Sequence, residues 1–177
     1  DYDNILNIAG DGVMGAVEIP SIDVYLPIYH GTDSKSLEKG AGHLENSSFP
    51  VGGKGTHSII SAHTGLPSAK MFDNLTEVKE GDIFYIHVLN RTLAYEVNQI
   101  KVVLPENISD LLINKNRDYV TLITCTPYGI NSHRLLVRGE RIPYREAKKK
   151  DKSESKSNNM WKAYALVGVL AVVLIIL

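Results

Sequence analysis

The stretch Thr121-Leu-Ile-Thr-Cys-Thr-Pro-Tyr-Gly-Ile-Asn-Ser-His-Arg-Leu-Leu-Val-Arg-Gly139 reads as an apolar strand ending at a cysteine, a turn, and a second strand opening with an arginine. It holds the single cysteine of the chain, Cys125, and Arg134 nine positions later. If the two strands pair as neighbours, a thiol and a guanidinium meet at one edge of a sheet. A thiolate is a strong nucleophile, and a nearby cation both lowers its pKa and can hold an oxyanion. That pairing points to acyl transfer through cysteine. A lone cysteine is more often a small buried hydrophobe, and the surrounding motif is what turns the reading towards chemistry.

Working outward, further strands are predicted over 15–19, 22–28, 56–62, 82–89 and 91–98, with 101–104 continuing the last arm, then 119–124 and 135–142. Asn90 marks a hairpin between two of them. Helical signals are brief, at 3–9, 33–39, 68–75 and 109–114. Many short strands joined by Gly- and Pro-rich connections predict an all-β sandwich or closed barrel.

The bulk numbers narrow the function. The 177 residues suffice for one domain with a core plus tails, with 44% hydrophobic and 22% charged residues. A formal net charge of -1 leaves no electrostatic footprint for nucleic acid. One cysteine excludes an internal disulfide framework, and neither a CxxC pair nor a clustered ligand set such as HExxH is present for a metal.

Organisation changes near the C-terminus. Residues 1–144 carry the folded domain, 145–160 read as a polar, solvated linker rich in Lys, Glu and Ser, and 161–177 as an apolar segment led by Trp161 and Tyr164. That segment runs to the last residue and falls short of the roughly 20 residues a bilayer helix needs. Its all-round hydrophobicity predicts a transmembrane anchor that the end of the chain cuts short. The lysines before it would by charge alone put the domain in the cytoplasm, so topology is taken from other grounds. The chain starts at Asp1 without a signal peptide, which suggests a truncated or processed N-terminus.

Six histidines compete for the role of base: His30, His43, His57, His63, His87 and His133. His63 follows the apolar strand Ile59-Ile-Ser-Ala62 and opens a loop, a placement that suits a catalytic side chain. His133 adjoins Arg134, but strand side chains alternate, so only one of the two can face Cys125, and arginine is the better oxyanion donor. His87 lies mid-strand. Arg138, four residues after Arg134, shares its face; proximity to the cysteine turn favours Arg134.

These motifs resemble the signature of class C, pilus-assembling sortases of Gram-positive bacteria. The resemblance extends through Gly12-Val-Met-Gly15, Glu18-Ile-Pro20, Leu26-Pro-Ile-Tyr-His-Gly31, Gly42-His-Leu44, Val51-Gly-Gly-Lys-Gly-Thr-His57 and Ser61-Ala-His-Thr-Gly-Leu-Pro67, covering about residues 11–144. It implies a sortase-type eight-stranded β-barrel with short helices and a catalytic triad of Cys125 as nucleophile, His63 as acid and base, and Arg134 as transition-state stabiliser. It implies no cofactor or metal. The expected reaction is cleavage of an LPXTG-like sorting signal between threonine and glycine through a Cys thioester, resolved by a lysine of another pilin subunit. The expected location is the cell membrane, held by the C-terminal segment with the catalytic domain on the extracellular side. A housekeeping sortase would keep the fold and the chemistry but use a different nucleophile from the cell-wall peptide. A catalytically silent β-barrel surface protein would need none of the three residues. Members of this class usually carry an N-terminal lid with an Asp-Pro-aromatic motif, and none occurs before Gly10: either the lid lies upstream of Asp1 and was removed, or the enzyme lacks one, and in both cases Cys125 of this chain is expected to react readily with a thiol reagent.

Overall fold

Alternation of apolar and polar residues over short runs separated by Gly- and Pro-containing turns builds eight strands. In the computed structural model, which describes residues 1–66 and 70–152, these are β1 Val13–Ile19, β2 Val24–His30, β3 Ala41–His43, β4 Thr56–Ser61, β5 Ile83–Val88, β6 Arg91–Val103, β7 Asp118–Thr126 and β8 His133–Ile142. They close into a barrel in the order β1-β2-β3-β4-β7-β8-β6-β5. The expected all-β barrel of eight strands is therefore observed. Most neighbours are antiparallel, while β2/β3 and β4/β7 are parallel.

The inner faces supply one core. Ile60, Ala62, Val120, Leu122, Leu135 and Val137, all 4% exposed or less, alternate with outward residues along β4, β7 and β8. Gly139 lets the Phe84 ring lie on the sheet, since a Cβ there would come within 2.4 Å of it. Phe84 in turn stacks on Tyr95 at 5.5 Å.

The outer face of β4, β7 and β8 is covered as well. The connection after β6 passes over it through the 3₁₀ turn Ser109–Leu111, so Ile59 and Leu136 are both 2% exposed although they sit outside the core cluster. A polar pair is trapped beneath. His57 Nε2 lies 2.7 Å from Thr121 Oγ1, and its Nδ1 lies 3.1 Å from the Leu112 carbonyl. Both ring nitrogens are thus partnered, which buried polar groups require. This double cover explains why β7 carries apolar residues on both faces, Val120 and Leu122 on one and Tyr119 and Ile123 on the other.

Several local readings shift. β6 is one strand of 13 residues with a register shift between Val97 and Gln99, where the sequence suggested two pieces. β3 is three residues long, too short to leave a periodic signal. The N-terminal helical signal reduces to a single 3₁₀ turn, Tyr2–Asn4. The expected helix after Asp33 is α1, Ser34–Leu37, with the Asp33 carboxylate accepting from the Lys35 and Ser36 N–H groups as an N-cap. The 68–75 signal lies partly outside the described residues, and a 3₁₀ turn follows at Leu75–Glu77. At 109–114 one 3₁₀ turn forms.

Chain contacts divide the molecule into Asp1–Ile142 and Pro143–Leu177. In the second unit residues 144–152 are helical, where the sequence suggested the start of a solvated linker; the Pro143 carbonyl accepts from the Glu146 and Ala147 N–H groups. The rest of the linker and the apolar segment 161–177 lie outside the described residues. Among the described residues no helix is long and apolar enough to cross a membrane.

Candidate active site

Two strand pairings bring the three candidate residues to one end of the barrel. β7 and β8 run antiparallel with Cys125 directly opposite Arg134 and Thr126 opposite His133. Facing residues in such a ladder have Cα atoms about 4.5–5.5 Å apart, so the thiol and the guanidinium start from adjacent positions. β4 and β7 run parallel with Ser61 level with Ile123. The Ala62 N–H continues that ladder to the Ile123 carbonyl at 3.1 Å. Two further steps in the same register set His63 level with Cys125.

The backbone around His63 is tied from several sides. Thr124 Oγ1, 2% exposed, donates to the Ala62 carbonyl at 2.8 Å, joining the residue before the histidine to the residue before the cysteine. The Phe72 N–H donates to the His63 carbonyl at 2.9 Å. The Asp73 carboxylate accepts from the Gly65 N–H at 2.7 Å and from the Met71 N–H at 2.9 Å, so one side chain gathers both described ends of the connection. Gly65 has φ +75, and a Cβ there would lie 2.9 Å from the Tyr128 ring. The connection after β4 and the one after β7 therefore meet at Gly65 and Tyr128.

Arg134 is oriented by its own turn. Its Nη1 donates to the Asn131 carbonyl at 3.1 Å and the His133 carbonyl at 3.0 Å. Among the described residues its Nε and Nη2 have no acceptor, which leaves donors for a substrate oxygen. Arg138 is occupied elsewhere: it lies over the Tyr119 ring at 4.4 Å and donates from Nε to Asn98 at 3.1 Å. Register separates the two, since Arg138 pairs with Thr121, four residues back from Cys125. Cys125 and His63 are both half-buried.

The other histidines have structural partners. His43 and His57 are 0% and 1% exposed, and burial pushes both imidazoles below their ordinary pKa. The Ser48 and Leu112 carbonyls oppose that shift, while His30 beside His43 and Arg138 near His57 add to it. His87 meets Glu18 at 2.7 Å and Thr92 at 3.1 Å. His133 shares the face of Leu135 and Val137 and bonds Ser132. Among the described residues no cluster of His, Cys, Asp and Glu could hold a metal ion.

An apolar groove adjoins the site. A cavity of about 230 Å³ is walled by Ser61, Ile123, Arg134 and Leu136 of the barrel and by Leu104 and Ile108 of the connection above it. Sequence reasoning missed this cover and the Asp73 tie. The apolar residues Leu104, Ile108, Leu111 and Leu112 in an otherwise polar stretch were the available sign of the first.

Comparison with known proteins agrees with this arrangement. The family model described as Sortase domain matches residues 17–142. Sortase C-1 of Actinomyces oris is 58% identical with a TM-score of 0.78, covering 80% of this chain and 79% of that one. Sortase C-1 of Streptococcus pneumoniae is 61% identical with a TM-score of 0.74, covering 75% and 68%. Sortase D of Bacillus subtilis is 29% identical over 131 residues, which are 72% of this chain. The chain spans 63% of the length of that curated relative. A family model over most of the barrel, and the same fold in solved structures at more than half identity, lead to one conclusion: the chain belongs to the sortase family.

Proposed function

We propose that this chain is a cysteine transpeptidase that cleaves LPXTG-like sorting signals between threonine and glycine and joins the acyl fragment to a lysine of a pilin subunit. The observation that carries the reading is the register: Cys125 opposite Arg134 on neighbouring strands, with His63 two residues past the end of the strand on the other side of Cys125. Identities of 58% and 61% to structures described as sortase C-1 support the pilus class over a housekeeping enzyme.

In the proposed reaction the Cys125 thiolate attacks the threonine carbonyl carbon. The carbonyl oxygen becomes an oxyanion, which accepts from the unused Arg134 donors. His63 gives its proton to the glycine nitrogen as the C–N bond breaks, leaving a thioester on Sγ. An incoming lysine amine then loses a proton to His63 and attacks the thioester, the C–S bond breaks, and Cys125 returns as thiolate. The product is an isopeptide bond. The sorting signal would lie in the apolar groove beside Ile123 and Arg134, with its leucine away from the cysteine. Residues 161–177 would hold the enzyme in the cell membrane with the barrel on the extracellular side, beside anchored substrates.

Intact-mass measurement of the chain with an LPXTG peptide tests this. The expected result is a mass gain equal to the acyl fragment that is absent in Cys125→Ala. Adding a pilin-derived lysine peptide or a cell-wall peptide amine then separates polymerisation from wall attachment. A folded chain that neither gains mass nor cleaves the peptide overturns the proposal.

A further inference from the structure

The groove beside Arg134 does not end the apolar surface. A second cavity of about 340 Å³ lies further along β4, walled by His57, Leu112 and Ile113. The two cavities share Leu44, Ile59, Ile108 and Leu111. Ser61 lines only the first and His57 only the second, so they follow one another along the strand away from His63. The residues over the second remain unusually open for their type: Ile108 is 62%, Leu112 66% and Ile113 54% exposed. Apolar side chains gathered around a cavity and left in water mark a binding surface.

Reach identifies the occupant. His57 precedes His63 by six residues, a reach of about 20 Å in extended chain at roughly 3.3 Å per residue. The leucine of an LPXTG signal precedes the attacked threonine by three residues, a reach of about 10 Å in extended chain. It therefore ends between Ser61 and Ile59, in the first cavity. The polypeptide bearing the signal is covalently continuous and the two cavities adjoin, so a chain that keeps to the line of the groove brings the residues before that leucine to the second cavity. We infer that the second cavity is a subsite for an apolar side chain two or three residues before the leucine of the sorting signal. The inference rests on the proposed function and adds a substrate requirement upstream of the pentapeptide. Six of the ten lining residues are leucine or isoleucine, with Glu45, Asn46, Ser47 and His57 completing the wall, so leucine, isoleucine or phenylalanine suits the subsite better than an acidic side chain.

The test is a peptide series cleaved by the full chain. A reference peptide has three alanines before the LPXTG signal, and three others carry phenylalanine at the first, second or third of those positions. The expected result is a kcat/KM about tenfold above the reference for phenylalanine at the second or third position. Leu112→Ser and Ile113→Ser change exposed side chains and should each remove most of that gain, the reference peptide serving as baseline. Equal rates across the series, with the reference cleaved, overturn the subsite and leave the sortase reading standing. A gain confined to the first position, or one that persists in both variants, overturns it as well. If no peptide is cleaved while Cys125 can still be alkylated, the function and the subsite fall together. A dimer in solution that Leu112→Ser dissociates would assign the cavity to a contact between copies and overturn the proposal.

Discussion

Arg134 and Arg138 show how a single residue is chosen from two that look alike in sequence. Both face the same side of β8, but only Arg134 pairs with Cys125, while Arg138 is held against the Tyr119 ring and Asn98. Arg134→Ala should lower kcat on an LPXTG peptide by about 10²–10³-fold with a smaller change in KM, because in the proposed reaction the lost donor holds the oxyanion. Arg138→Ala should leave kcat nearly intact and lower the melting temperature through loss of the Tyr119 contact and the Asn98 bond. Steady-state kinetics and thermal melts on both variants check this, and equal kinetic losses would refute the choice. Half-buried Cys125 should also be alkylated rapidly by a small thiol reagent in the folded chain, followed by mass; slow labelling would count against an open site. At this scale the sequence was informative. Strand alternation alone separates His133 from Arg134. The partners of His43, His57 and His87 come from strands and turns remote in the chain, so spacing could not reveal them.

At the scale of elements, the connection leaving β4 is the part most exposed to perturbation. Asp73 accepts two backbone N–H groups there, and its loss leaves half-buried donors unpaired. Asp73→Ala should cost about 1–3 kcal/mol of stability and lower kcat more than it raises KM, since His63 sits where the connection begins. Denaturant melts and peptide kinetics measured together decide it; full activity would mean that the strand ladder alone places His63. Gly65→Ala should be destabilising for two separable reasons, its φ of +75 and the Tyr128 ring 2.9 Å from the new carbon. Combining it with Tyr128→Ala should restore part of the loss and not all. Hairpin β5/β6 around Asn90 was legible because one turn joins two alternating runs. β3 was not, since three residues carry no period, and the unbroken β6 was read as two because its bulge interrupts the alternation.

For the whole molecule, buried histidines set the response to acid. His43 and His57 stay neutral in the native barrel because burial disfavours their charged forms. The unfolded chain takes up those protons near pH 6.5. Below that value the unfolded state binds more protons than the native one, so the stability these sites contribute is full above about pH 6.5 and lost as pH falls towards their depressed native values. Asp33 and Asp110, held below the usual carboxylate range chiefly by hydrogen bonds from Ser36 and Lys101, enter only nearer pH 3.8. Melting temperature should therefore fall between pH 6.5 and 5, and His57→Gln should flatten that slope. A flat profile in the unmodified chain would contradict the assignment.

The parallel pairing of β4 with β7 has a consequence for how such a barrel diversifies. His63 and Cys125 leave their strands in the same direction, so their spacing is fixed by a ladder that ends before either connection begins. Beyond the ties that Phe72 and Asp73 make, length and composition of the connections can drift with the ladder unchanged. New recognition can then arise by exchanging one connection at a time over an unchanged pair, and grafts into the segment after His63 that retain Asp73 should transfer preference while preserving turnover.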